Sequence, residues 1–209
     1  MALDYFITDY CKIRNKTISR NDNIIFPGTE EKPVSFFAEA YKHFGISYPK
    51  FYKMDSLCKL GFLASEILMQ GKDRNFKGED FGIVLYNAAS SIDSDCAHQQ
   101  SIKDRSSYFP SPSVFVYTLP NIVIGEICIR HKLFGESAFF IAENFDTQAI
   151  YDYIRLLFDE KVVQNCFTGW IECDANHYDC CLFMVEKSEP EKGGFAIFDA
   201  ENIKEIYSR

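Results

Sequence analysis

The sequence predicts a three-layer α-β-α protein of the α/β class, built on a mixed, mostly parallel sheet. Three observations carry this. Strand-like and helix-like segments alternate as βαβαβ through most of the chain, the order that puts helices on both faces of a sheet. The run 81–86, Phe-Gly-Ile-Val-Leu-Tyr, is continuously apolar, as in a strand covered on both sides. The last quarter switches to strand patterns at 162–172, 178–187 and 194–199, an antiparallel finish. At 209 residues with 47% hydrophobic side chains the chain can close one core, and 1–209 reads as a single domain.

The elements follow in order. Residues 5–27 alternate apolar and β-prone residues around the break Arg14-Asn15-Lys16, which predicts a first strand or hairpin. Pro33 opens a helix that Gly45 ends, and Met54-Asp55-Ser56 starts another, with Asp55 or Ser56 as N-cap. Its stripe of Leu57, Leu60, Leu63, Ala64, Ile67 and Leu68 has helical spacing and stops at Gly71. Gly78 to Asp80 turn into the 81–86 strand. The polar segment 87–107, with Asp93, Asp95, His98 and Asp104, reads as a solvated loop with a turn or two of helix.

The stretch 108–146 organises the rest. It contains a Pro/Ser loop at 110–113, then a helix opened by Pro120-Asn121 that buries Ile122, Ile124, Ile127 and Ile129 around Gly125. A turn at Gly135 leads to the apolar strand 138–142. Glu143-Asn144 then break into a helix beginning at Phe145, which buries Ala149, Ile150, Tyr153, Ile154, Leu157 and Phe158. A strand that becomes a helix within two residues presents a side chain to unpaired N–H groups, where several enzymes hold a nucleophile. Here that place falls to Asn144, which is no nucleophile but a good N-cap. Loops at 174–176 and 188–190 separate the late strands, and a helix over 201–207 closes the chain.

A net charge of −8 with no basic stripe excludes a nucleic-acid footprint. No basic region precedes an apolar run at the N-terminus, and no uncharged apolar stretch is long enough for a membrane span. The expected place is therefore the cytoplasm, with the eight cysteines as free thiols. Cys173, His177 and Cys180, with Cys166 as a fourth ligand, have a loose zinc spacing, but buried cysteine is the simpler reading. His98 beside Asp95 has no serine or cysteine to serve, and Glu126 has helical spacing for a salt bridge to Arg130. Neither metal nor cofactor is expected.

The segment 110–144 resembles the N-terminal half of the β-ketoacyl-acyl carrier protein synthases, condensing enzymes of the thiolase fold. Pro112 to Asn121 (PSVFVYTLPN), Gly125 to Arg130 (GEICIR) and Gly135-Glu136-Ser137 carry the likeness. Met54-Asp55-Ser56-Leu57 and the strand at 81–87 add looser matches. Within the family the chain is most similar to short ketosynthase-like proteins of bacterial aryl-polyene and flexirubin-type pigment pathways. The resemblance implies a thiolase-like half-fold. It places the nucleophilic cysteine nine residues after the turn glycine, which lands on Asn144. The family's catalytic histidines come from a second half that lies beyond this sequence, and none of His43, His98, His131 and His177 stands in a matching motif.

The resemblance therefore implies a degenerate nucleophile position and no condensing activity, since asparagine cannot carry a thioester. It also implies an interface at Pro120, Asn121, Ala138 and Phe140, because the family pairs the strand after the turn across a two-fold axis. The first functional expectation is a non-catalytic subunit paired with an active ketosynthase, or with itself in a homodimer, and acyl carrier protein as a further partner. A second is a free-standing binding protein for an acyl or aryl chain, using an aromatic groove around Tyr117, Phe139, Phe140 and Phe145. A third is an enzyme of another class built on His98 or on Cys173 and His177.

Overall fold

The structure, a computed structural model, describes residues 4–72, 76–106, 108–188 and 195–209. Ser107, Glu189, Pro190 and Gly194, which the sequence places in loops and at a strand start, lie outside the described residues. The N-terminal region forms a meander of β1 (Asp4–Arg14), β2 (Thr17–Arg20) and β3 (Asn23–Pro27). Asn15 and Lys16, at φ 50° and 59°, make the two-residue turn that the break in pattern predicts. Helix α1 (Pro33–His43) begins on its proline, which needs no N–H partner there.

Helix α2 (Ser56–Met69) is capped by Asp55, whose carboxylate accepts from the Cys58 amide. Every residue of it except Ser56 and Glu66 is buried, so it is the central helix of its layer rather than a surface one. Strand β4 (Phe81–Asn87) is buried at every position, as its unbroken apolar run requires. The polar segment after it is more regular than expected. Helix α3 (Ile92–Ile102) runs three turns yet buries only Ser94, so it carries no apolar stripe to announce it.

A short α4 (Pro112–Val116) replaces the expected Pro/Ser loop, and α5 (Ile122–His131) follows. Val123, Ile124 and Ile127 face inward on α5, while Ile129 is 63% exposed, contrary to the expected stripe. Strand β5 (Ser137–Ile141) and α6 (Thr147–Asp159) come next. Helix α6 buries Ile150, Ile154, Leu157 and Phe158, whereas Ala149 points outward. Strands β6 (Asn165–Cys173), β7 (Tyr178–Ser188) and the brief β8 (Ala196–Ile197) precede α7 (Ala200–Ser208).

The strands form one mixed sheet in the order β3-β2-β1-β7-β6-β4-β5, with β8 on β1. Three layers and a mixed sheet match the expectation; the balance of directions does not. Among the described strands only the β4–β5 and β4–β6 pairings are parallel, and every other pairing is antiparallel. Strand β1, expected to open a βαβ unit, instead lies between its hairpin partner β2 and the late strand β7. Neither pairing needs a crossover helix.

Helices α1, α2 and α5 cover one face, packing on Ile13, Leu85, Phe167 and Leu182. Helices α6 and α7 cover the other, packing on Tyr10, Val84, Trp170 and Phe183. Alternation along the strands sends neighbouring residues into opposite cores.

Candidate functional site

The chain leaves β4 toward α5 on one face of the sheet and leaves β5 toward α6 on the other. Adjacent parallel strands with diverging exits open a crevice at their carboxyl ends, where α/β proteins place their sites. Two turns wall this crevice, and the Ala142 amide ties them together by donating to the Asn87 carbonyl at 2.9 Å.

The first turn follows Asn87, which is fully buried. Its amide side chain donates to the Ser90 carbonyl (2.8 Å) and accepts from the Ser90 N–H (3.1 Å), holding Ser90 at φ 55°. Ser91 Oγ donates to the Thr118 carbonyl at 2.7 Å, which joins the turn to the end of α4. The amides of Ala88 and Ala89 point the same way, and both donate to Glu172 Oε2 at 2.7 and 3.2 Å. Paired amides of this kind make an oxyanion hole when they are open to substrate. Here a carboxylate of the chain itself occupies them. Sequence reasoning missed Glu172, because a lone acid at a strand end carries no motif.

The second turn holds Asn144, and the expected cap is not there. Glu143 and Asn144 are exposed in a bend, and α6 starts at Thr147. Asp146 caps it instead, with Oδ1 accepting from the Gln148 and Ala149 amides at 3.1 and 3.0 Å. The cause is Phe145. Its ring packs on Tyr207 and Trp170, with centroids at 4.2 and 5.9 Å, and so stays in the core cluster that also holds Ile150. An apolar residue before the cap and one in the first turn fix the entry of the chain, a hydrophobic staple. Asp146→Ala is expected to cost about 1 kcal/mol in urea denaturation, and Asn144→Ala less than about 0.5 kcal/mol. Equal losses from both would restore Asn144 as the cap.

No residue from 142 to 146 is a cysteine, so the turn lacks a thiol whichever of its positions faces the crevice. Seven of the eight cysteines have thiols pushed above their ordinary range by burial, Cys181 up to about 12. A thiolate nucleophile needs the opposite shift.

The four aromatic residues expected to share a groove are divided by the sheet. Tyr117 and Phe139 pack on the α2 side, Phe140 and Phe145 on the α6 side. Phe139 and Phe140 are consecutive in β5 and must point to opposite faces. Phe140 stacks on Tyr86 and meets Tyr153 edge-on. The Tyr117 hydroxyl donates to Glu126, which is 4% exposed and pairs with Lys50 at 2.8 Å. Burial pushes the Tyr117 phenol up, and the bond to Glu126 holds the Lys50 ammonium above its usual range.

Glu126 therefore does not pair with Arg130. Arg130 takes Glu66 of α2 in a two-point contact at 2.7 and 2.8 Å, a partner that only the tertiary fold supplies. Pro120, Asn121 and Ala138 come together with Phe139, Gly125 and Cys128 along an open groove of about 530 Å³ between α5 and β5.

The remaining candidates disperse. His98 packs on Phe115, and its Nδ1 has no hydrogen-bond partner among the described residues. Cys166 belongs to the α6-side core, whereas Cys173 and Cys180 belong to the other, so the suggested zinc set does not converge. Among the described residues no group of three or more His, Cys, Asp or Glu is placed to hold a metal. No helix among them is long and apolar enough to cross a membrane.

No family model and no curated protein matches the sequence. Solved structures match in fold. The ishigamide ketosynthase/chain length factor is similar with a TM-score of 0.63 at 16% identity, over 88% of this chain and 62% of that one. A ketosynthase in complex with its chain length factor from Xenorhabdus doucetiae gives 0.58 at 11%, over 90% and 80%. A type II PKS acyl-carrier protein in complex with its ketosynthase bound to the hexaketide gives 0.62 at 12%, over 92% and 65%. The chain thus spans less than two thirds of the first and third. At such identities the likeness is one of fold, and the chain has the thiolase-like fold of the ketosynthases and chain length factors.

Proposed function

We propose that the chain is a non-catalytic, ketosynthase-like subunit that acts in the cytoplasm. In this reading it pairs through β5 with an active β-ketoacyl synthase of a fatty-acid or polyketide-type pathway of the aryl-polyene kind. The observation that carries this is the bare edge of β5. The strand ends the sheet, bonded only to β4 among the described strands, and its sequence Ser-Ala-Phe-Phe-Ile has no charge or proline to guard it. Such edges pair with another chain unless they are blocked. Phe109, Phe115, Leu119, Ile129, Phe134 and Ile141, from the same stretch of chain, are exposed as well.

The kind of partner is supported by the similar structures, which are ketosynthases in complex with a chain length factor or an acyl-carrier protein. The inactive role rests on the thiol-free turn and on the amide pair filled by Glu172. Acyl carrier protein then meets the pair on the synthase side, since a net charge of −8 repels an acidic carrier. The test is gel filtration with light scattering of the purified chain, alone and mixed with an active β-ketoacyl synthase from the same organism. A one-to-one complex, and a homodimer of the chain alone, are expected. A wild-type monomer at micromolar concentration that does not co-elute with the synthase would overturn the reading.

A further inference from the structure

A second cavity, of about 300 Å³, lies away from the β5 face, between the start of α2, α3 and α4. Met54, Lys59 and Ser94 form its buried side, Asp55, Asp93 and Tyr117 its walls, and Lys53, Ala97 and Ser113 its rim. Lys59 stands out. It is 8% exposed, and Nζ donates to the Met54 carbonyl. No carboxylate lies within ion-pair distance of it among the described residues, although Asp55 and Asp93 line the same cavity.

Asp55 is committed elsewhere. Its carboxylate accepts from the Cys58 amide at 2.8 Å and from Ser94 Oγ at 2.9 Å. A buried lysine normally answers a carboxylate, and one that does not is a rare arrangement. Burial pushes the Lys59 ammonium below the ordinary lysine range, outweighing the opposing pull of Asp55, Cys58 and Cys173. Burial also pushes the Asp93 carboxyl up, so one cavity holds an amine that burial shifts toward its neutral form and an acid that burial shifts toward keeping its proton. That pairing suits carbonyl chemistry, as in Schiff-base lysines.

We infer that this cavity is a binding site for a small aldehyde, which Lys59 captures reversibly as an imine. The Nζ lone pair forms the bond to the carbonyl carbon, and the carbonyl oxygen takes up the two protons that the amine gives up and leaves as water. Asp93, which lines the same cavity, would pass a proton to that oxygen. Apolar walls from Met54, Val114 and Ala97 accept a short aliphatic or aromatic body, and the cavity is at the small end of ligand sites. The inference stands apart from the pairing role of β5, because the two surfaces share no residue.

The experiment treats the full chain with benzaldehyde and cyanoborohydride near neutral pH and locates the reduced benzyl adduct by peptide mass mapping. Lys59 should label several-fold faster than the exposed lysines, because burial leaves more of its amine neutral. Lys59→Met should lose the fast adduct. Ala97→Trp, at an exposed helix position on the rim, should slow it while leaving the fold and the other lysines unaffected. Labelling spread over exposed lysines with Lys59 unmodified would overturn the inference. So would an undiminished rate at Lys59 in Ala97→Trp, because the amine would then be reached without the cavity.

Discussion

Gly169→Ala is expected to cost about 3 kcal/mol or more, a large part of the stability of a typical domain. Gly169 sits in the middle of β6 at φ +149°, a conformation that side chains resist. A Cβ there would stand 2.0 Å from the Cys181 carbonyl oxygen and 3.1 Å from its carbon. Neither strand can yield. β6 is held between β4 and β7, β7 between β6 and β1, and Cys181 and Leu182 are fully buried. Gly125→Ala is the control. A Cβ at that helix position meets nothing within 4 Å, so the change should stabilise by about 0.5–1 kcal/mol. Urea denaturation compares the two, and an unshifted midpoint for Gly169→Ala would show that the β6–β7 ladder has room the structure denies.

Ile141→Lys is expected to weaken pairing while leaving the fold intact, and Phe140→Lys to destabilise the fold itself. Phe140 stacks on Tyr86 with centroids 5.0 Å apart and meets Tyr153 at 5.1 Å. Removing that ring should cost about 3 kcal/mol, so its loss reports on the fold before it reports on assembly. Ile141, at the end of β5, is 54% exposed. A lysine there should change monomer stability by less than about 0.5 kcal/mol. It guards the edge as natural edge strands do, and should weaken association by about 2 kcal/mol, roughly thirtyfold. Melting curves and light scattering separate the two effects. Wild-type association of Ile141→Lys would remove β5 from the interface.

Much of the fold is legible because local signals and tertiary structure agree. Asp55 caps α2 where a cap is written, and Asn15-Lys16 turn where the alternation breaks. The unbroken run of β4 is buried throughout. The failures share a cause. Strand β1 has the same pattern whether it enters a parallel or an antiparallel sheet, so its place beside β7 is not written locally. Helix α3 shows no stripe because it hardly touches the core. At the site, asparagine and aspartate cap about equally well, and the choice of Asp146 was made by the anchoring of Phe145. Arg130 has Glu126 at helical spacing but reaches Glu66 on another helix. The edge position of β5, which concerns a strand and its one neighbour, is where the expectation and the structure meet most closely.

The register of β1 has a consequence for how the chain is made. Asp4 pairs with Ser188 and Arg14 with Asp179, so β1 waits for a strand that is made long after it. At about 5–20 residues per second on the ribosome, that interval is roughly 10 to 30 s. Throughout it, the nascent meander carries Ile7, Tyr10 and Ile13, all fully buried in the finished protein, on a strand with one open side. Long-range pairing of this kind also slows folding after release. The growing chain therefore depends on whatever shields that strand before β7 emerges. A fragment that stops after β6 would leave β1 and β6 each open on the side that faces the middle of the sheet.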